Sequence, residues 1–445
     1  MNIKKYLSFS GLLSFLSSVF RRLPDPRQKG KVKHSVQDAT MAAFACMHFQ
    51  DKSFLQFEKR VDEALHPENL KQIFGIQTIP EVTQIRAVLD NVDSEKFRPI
   101  FKEVFSRLQR GKYLEQYQVL PGLYYAVMDA TEYFSSKKIS CPGCLTCEHA
   151  NGDVTCSHKT LQIAIMHPSM SQVIPLMPEA IHNSDGQLKQ DCEMNAAKRL
   201  IPKLRQEHPK LGLIMGGDAL FSKQPIIDDV LSNGMHYLFV AKPDDHEYMM
   251  TYIDIARQLQ GVNFIFCPQK GDKIHRYEWV NDVPLNKRKD GIRVNYLSLT
   301  VISIQKDGSE KITFRSSWVT DLTVGKTNVE LLSRVGRSRW KIENECFNTL
   351  KNQGYAVEHN YGHGENHLAF NIYLLTLIAF LFHQVFELTD RLYQACRKKF
   401  GSKTHLWETL RAYAKILVFN TWEMLLDFAL DPVKYGVTMS QLRSP

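Results

Sequence analysis

From residue 36 to about 118 apolar positions recur at spacings of three and four, and strand-like runs are rare, a pattern that predicts helices. Residues 70–74 stop at Gly75, and a further helix is expected after Pro80. Within residues 81–89 the period puts Val82, Ile85 and Leu89 on one face and turns Gln84 and Arg86 outward. Two helices joined this way have the form of a helix-turn-helix unit. An ordinary helical bundle has the same pattern and is the commoner outcome.

The pattern then changes. Residues 123–128 are a short apolar run of β-formers that predicts a buried strand ending on Asp129. Strands follow at 158–167 and 172–177, a helix at 188–206, and a strand at 211–215 that leads into Gly216, Gly217 and Asp218. A helix at 225–232 and a strand at 237–241 complete this stretch. Three meandering strands followed by alternating helices and strands predict an α/β fold with a mixed sheet flanked by helices. Residues 255–322 are β-rich, with alternating segments at 293–304 and 311–319, and a long helix is expected from Asn328 past Lys351.

A chain of 445 residues implies two or three domains. The expected division is a helical, DNA-binding region at 1–118, a core at 119–254, a β-rich insertion at 255–325, the rest of the core at 326–390, and a helical tail at 391–445. Composition is that of a globular protein, 44% hydrophobic and 23% charged. The formal net charge of +9 favours an anionic partner only weakly. Lys4, Lys5, Arg21, Arg22, Arg27, Lys29, Lys31 and Lys33 face a single acid, Asp25, in the first 34 residues. Such an arm suits tracking phosphates, and equally a solvated terminus. The apolar stretch at 7–20 is broken by serines and ends in Arg21 and Arg22, unlike a signal peptide. Residues 368–386 contain Asn371, His383 and Gln384, so a buried core helix is expected there and no membrane partner. Nine unevenly spaced cysteines read as thiols or metal ligands, not as a disulfide framework.

Asp129 and Asp218 are both expected at strand ends, where carboxylates converge at one sheet edge. A third acid on a helix beside that edge completes a set of hard oxygen ligands for magnesium or manganese. On a helix Arg339 and Glu343 share a face, about 40° apart, whereas Glu345 points roughly 160° from Glu343. Glu343 is therefore the candidate, and Arg339 is placed to hold a phosphate. Taken singly, each acid is more commonly a turn residue or a solvated surface group. Their combination, in order and on suitable elements, carries the reading.

The run from Arg339 to Glu345 resembles the C-terminal signature of bacterial insertion-sequence DDE transposases, in the group whose motif reads Tyr-x2-Arg-x3-Glu-x6-Lys. Residues 125–131 and 213–218 look like the regions carrying that family's two aspartates, and residues 347–355 and 358–364 extend the likeness. The resemblance covers residues 120–390 and, more loosely, the helical region before them. It implies a ribonuclease-H-like core, which the strand order also matches, with a β-rich insertion between the second Asp and the Glu. It further implies magnesium at Asp129, Asp218 and Glu343, and DNA contact by Arg339. The motif's tyrosine falls on Gly336 and its lysine on Leu350, with Lys351 one residue late as the remaining DNA-binding candidate.

Cys141 and Cys144 form a Cys-x2-Cys pair around Pro142 and Gly143 in the loop expected between the first two strands. With His149 and His158 they make a candidate structural zinc set, Cys147 and Cys156 being rival ligands; a thiol-rich loop without metal fits the spacing equally.

The expected function is metal-dependent cleavage of transposon ends and strand transfer into target DNA. The partners are then double-stranded DNA and a second copy of the chain in the active complex, and the setting is the cytoplasm of a bacterium, at the nucleoid. A non-transposing nuclease on the same core and a catalytically inactive, transposase-derived DNA-binding protein are the alternatives. Trp318, near Arg315, is a candidate for stacking on an unpaired base, though a tryptophan there is more often core.

Overall fold

The computed structural model describes residues 3–28, 30, 32–65, 68–183 and 190–436. Lys29 and Lys31 of the basic arm, the start of the helix expected from residue 188, and the last nine residues of the expected tail lie outside these.

The chain begins with helices: α1 (Ile3–Leu7), α2 (Phe9–Phe20), α3 (Val36–His48), α4 (Phe54–Asp62), α5 (Glu68–Phe74), α6 (Val82–Asp90) and α7 (Arg98–Arg110). The apolar stretch near the start is α2, capped by Ser8 and buried through Leu12, Leu16 and Phe20 against α3 and α7. In α6, Ile85 and Leu89 are fully buried as their spacing requires. Arg86 departs from expectation. Its Nε donates to the carbonyl of Tyr361 at 2.6 Å, and its guanidinium lies over the Phe54 ring, so it is tied to the molecule instead of facing outward.

Next comes the sheet: β1 (Gln118–Leu120), β2 (Leu123–Ser136), β3 (Leu145–Glu148), β4 (Val154–Met166), the short β5 (Ile174–Pro175) and β6 (Glu179–Ile181), β7 (Gly212–Gly217) and β8 (His236–Val240). Helices α8 (Glu193–Glu207) and α9 (Gln224–Ser232) alternate with β7 and β8, and α10 (Glu247–Gln258) follows. β4 runs antiparallel to β2, and β2, β7 and β8 are mutually parallel neighbours. β2 does not end on Asp129; it runs seven residues further because β4 pairs with it as far as Ser136.

The β-rich stretch is not a separate body. β9 (Asn263–Gln269), β10 (Lys273–Pro284), β11 (Arg293–Ile304) and β12 (Glu310–Thr320) form a meander whose last strand pairs antiparallel with β8, Trp318 opposite Val240. One continuous mixed sheet results, in the order β3-β4-β2-β7-β8-β12-β11-β10-β9.

The helix expected from Asn328 is broken into pieces: α11 (Val329–Arg337), a 3-10 turn at Ser338–Trp340, a π-helical turn at Ile342–Phe347, and α12 (Asn348–Asn352). α13 (Leu368–Thr389) follows, then α14 (Arg391–Phe400), α15 (Lys403–Ile416) and α16 (Trp422–Leu430). α13 is long and apolar enough to cross a membrane, yet 89% of its apolar window is buried inside the protein, packed against α3 and α6. Asn371 fits this interior because its amide donates to the carbonyls of Leu89 and Val92 while its oxygen accepts from Ser94. α8 packs on β4 and β6, α9 on β8, and α11 on β8 and β10–β12, so helices flank the sheet.

Candidate active site

Strand register brings the two aspartates together. β2 and β7 pair in parallel from Leu123↔Gly212 to Val127↔Gly216, a constant offset of 89 residues. Asp129 and Asp218 each lie two residues beyond the last pair, Val127↔Gly216, at the same end of the two strands. Glycines at 216 and 217 permit this edge. A Cβ on Gly216 would stand 2.3 Å from the hydroxyl oxygen of buried Tyr125, and one on Gly217 2.6 Å from the Phe221 ring. After Gly217 the chain turns, and Asp218 Oδ1 accepts the Leu220 N–H at 2.9 Å. Asp129 Oδ1 accepts from its neighbour Ala130 at 3.0 Å, leaving Oδ2 for longer-range partners.

Glu343 comes from the π-helical turn. Ile342 and Cys346 are fully buried against the sheet, while the Glu343 side chain is 52% exposed. Lys341, itself buried, donates to the Met170 carbonyl at 2.5 Å and pins the start of the turn. A π-turn shifts the backbone phase within a helix and recurs at functional sites. The Arg339–Glu343 pairing expected from a regular helix forms nonetheless, at 2.7 Å.

Arg339 stands between two of the acids. Its Nη1 donates to Asp129 Oδ2 at 3.0 Å and its Nη2 meets Glu343 Oε1, so one guanidinium links the strand to the turn. Burial pushes the Asp129 carboxyl up to about 7; Arg339 opposes this, and the charges of Glu343 and Asp218 add to it. Glu193, at the first turn of α8, is likewise raised, by burial and then by Asp218. It is a fourth carboxylate in the field of this edge, and no spacing pattern pointed to it. Among the described residues the three candidate acids are not a set whose oxygens all lie within 4.8 Å of one another. Among the described residues the donor atoms that converge within 4.8 Å belong to Cys141, Cys144, His158 and His363.

Other candidates fall elsewhere. Lys351 Nζ pairs with Glu358 at 2.7 Å. Trp318 is core, 1% exposed, with its indole against Gly336, and is unavailable for stacking on a base. The exposed indole nearby is Trp340, beside a cleft of about 340 Å³ lined by Arg334, Arg337 and Lys341. His149 does not join the cysteines. It sits in the turn between β3 and β4, exposed, with Nε2 2.7 Å from Thr155 Oγ1. His363 takes its place, its Nε2 3.5 Å from Cys144 Sγ. Cys147 is exposed, and neither it nor Cys156 belongs to the converging set.

Residues 17–104 match the family described as DDE_Tnp_1-associated, which supports a transposase of the DDE type. No curated protein matches the chain. Among solved structures it is similar to the piggyBac transposase synaptic complex with hairpin DNA, at 10% identity and a TM-score of 0.36, over 99% of this chain and 81% of the other.

Proposed function

We propose that the chain is a DDE transposase that cleaves DNA at transposon ends and joins the freed ends to target DNA. The observation that carries this reading is the parallel register that puts Asp129 and Asp218 each two residues beyond its last pair, together with the guanidinium that ties Asp129 to Glu343. The match of residues 17–104 to a transposase-associated family supports it from a separate part of the chain. The order β4-β2-β7-β8, with only β4 antiparallel, supports a ribonuclease-H-like core.

The donor set fits magnesium or manganese, because all three side chains offer hard carboxylate oxygens and their mutual repulsion is relieved by added positive charge. Asp129, Asp218 and Glu343 would hold the ions, which when bound supply activation of the attacking oxygen and stabilisation of the leaving one. The chain's own groups then have distinct tasks. Arg339 neutralises Asp129 and Glu343 in the free protein and is placed to take a DNA phosphate at the cleaved end. Lys351 is a second phosphate contact, released from Glu358. The cleft at Arg334 and Arg337, with exposed Trp340 at its rim, suits a phosphate backbone and an unstacked base. In the reaction, water attacks the scissile phosphorus and the 3′-oxygen leaves as a hydroxyl. That hydroxyl next attacks a target phosphodiester, forming one P–O bond and breaking another. Two copies of the chain holding paired ends would do this in the bacterial cytoplasm, at the nucleoid.

The test is manganese anomalous scattering from crystals, paired with plasmid nicking by the wild type and Asp129→Ala. Manganese between the three carboxylates and loss of nicking in the variant are expected. Unchanged nicking in Asp129→Ala sinks the assignment, and an inert wild type that still binds DNA favours the non-catalytic alternative.

A further inference from the structure

The loop between β2 and β3, strand β4 and the segment after α12 meet at a point remote in sequence, Cys144 and His363 being 219 residues apart. Cys141 Sγ and Cys144 Sγ are 3.8 Å apart, far beyond a disulfide bond of about 2.0 Å. His158 Nε2 lies 3.4 Å from the first sulfur and 3.6 Å from the second, and His363 Nε2 lies 3.5 Å from Cys144 Sγ. A tetrahedral zinc with Zn–S of about 2.3 Å and Zn–N of about 2.0–2.1 Å requires roughly 3.8 Å between sulfurs and roughly 3.6 Å between sulfur and nitrogen. The side chains are therefore already spaced for that ion.

We propose that Cys141, Cys144, His158 and His363 bind one zinc ion in a closed, structural site. Two thiolates cancel the ion's charge, which suits a place where Cys144 and His158 are buried. Four protein ligands fill the tetrahedron, so no position is open for water or substrate and the ion is not catalytic. The surroundings hold the ligands in position. The Cys141 N–H points at Cys144 Sγ at 3.4 Å, and Asn183 donates to the Cys144 carbonyl at 3.1 Å. Tyr133 stacks on the His158 ring at 14° between planes, and Phe134 lies 4.4 Å from the His363 ring. These ring contacts restrict how the two imidazoles can turn.

The ion would act as a clasp. Tyr361 Oη donates to the Asp51 carbonyl, and the Asp90 carboxylate accepts the N–H groups of residues 365–368, so the segment bearing His363 is already fastened to the N-terminal helices. Zinc would fasten it on its other side to β4 and the β2–β3 loop. The strand carrying Asp129 and the segment leaving the Glu343 turn would then share one fixed point.

The test uses the full chain, purified under reducing conditions from zinc-supplemented cells, with metal content measured by mass spectrometry and the apo-protein titrated with cobalt. One zinc per chain is expected, together with a thiolate-to-cobalt charge-transfer band and the visible bands of tetrahedral cobalt. His149→Ala and Asp129→Ala should keep the zinc, the latter separating this site from the carboxylates, while Cys144→Ser and His363→Ala should lose at least tenfold in affinity. The wild-type cobalt spectrum needs no variant to fold. A folded wild type without stoichiometric zinc or a cobalt charge-transfer band overturns the proposal, as does loss of metal in His149→Ala with retention in His363→Ala.

Discussion

The Nη1 of Arg339 donates to Asp129 Oδ2 at 3.0 Å, a bond between residues 210 positions apart. The same guanidinium reaches Glu343, so the relative position of two candidate catalytic carboxylates is set by one planar cation. A planar fork with several donors can address two acceptors at once, whereas an ammonium is a single point of charge. The arrangement also keeps a partly buried carboxylate from facing its acidic neighbours unaided, which would cost free energy.

Arg339→Lys should therefore not be conservative. A lysine reaches Asp129 or Glu343 but does not bridge them, and nicking of supercoiled DNA in manganese should fall about 10²–10³-fold, as when one preorganised donor is lost. Thermal stability should change little by comparison. Nicking within about threefold of wild type would show that the bridge is incidental.

Asp129 carries a pH signature with an unusual sign. Burial holds its proton in the folded chain up to about pH 7, whereas an unfolded aspartate releases it at about pH 3.9. As pH rises between those values the unfolded state ionises first, so the folded state loses stability and does not regain it above pH 7. Asp129→Asn keeps an oxygen for Arg339 and removes the charge. It should match wild type at about pH 4 and exceed it at pH 8, by at most about 4 kcal/mol. Magnesium should raise the melting temperature of wild type at pH 8 and leave Asp129→Asn unmoved. A stability difference that is equal at both pH values refutes this account.

Asp129 stands out in the sequence because it directly follows an apolar run that reads as a buried strand, and Asp218 because only two glycines separate it from another. Glu343 was legible through its spacing from Arg339, and that pair survives although the helix around it is a π-turn. His363 was not legible. Spacing arguments rank nearby histidines first, and they favoured His149, which the β3–β4 turn carries away from the thiols. The joining of β12 to β8 was hidden for a related reason. Alternating residues show that a strand exists, but its partner is chosen by packing between distant segments. The periodicity of α6 alone turns Arg86 outward, whereas the segment around Tyr361 covers that face.

Gly336, at the position of the motif's tyrosine, is explained by packing. A Cβ there would lie 2.5 Å from Trp318 Nε1 and 2.7 Å from its Cε2, and the indole is locked in the core. Gly336→Ala gains about 1 kcal/mol of helix propensity but overpacks by about 1–3 kcal/mol, so a net loss is expected in urea denaturation. Trp318→Phe in the same chain should absorb part of the clash, giving a favourable coupling energy between the two positions. Strict additivity would mean that the indole is not what excludes a side chain.

Asp90 gives the sharpest test of how the N-terminal helices are fastened. Its Oδ1 accepts the N–H groups of Asn366, His367 and Leu368 at 2.9–3.0 Å, and its Oδ2 accepts that of Glu365 at 3.0 Å. It thus caps α13 from a residue of α6, satisfying donors that a helix start leaves without partners. Gly364 lies so close that a Cβ would stand 2.4 Å from Oδ1, and its φ of +70° favours glycine independently. Burial raises the Asp90 carboxyl, but the four N–H groups outweigh it and hold the group below its ordinary value. A depressed carboxyl contributes stability that is present above about pH 3.9 and is lost as pH falls through the folded value. Asp90→Ala should therefore lower stability by about 1–3 kcal/mol at pH 7, and the gap to wild type should close in acid. Asp90→Asn keeps one acceptor oxygen but not the charge, and should fall between the two. Urea titrations at pH 7 and pH 3 measure this. If Asp90→Ala unfolds within about 0.5 kcal/mol of wild type at pH 7, α13 is held by its apolar packing alone.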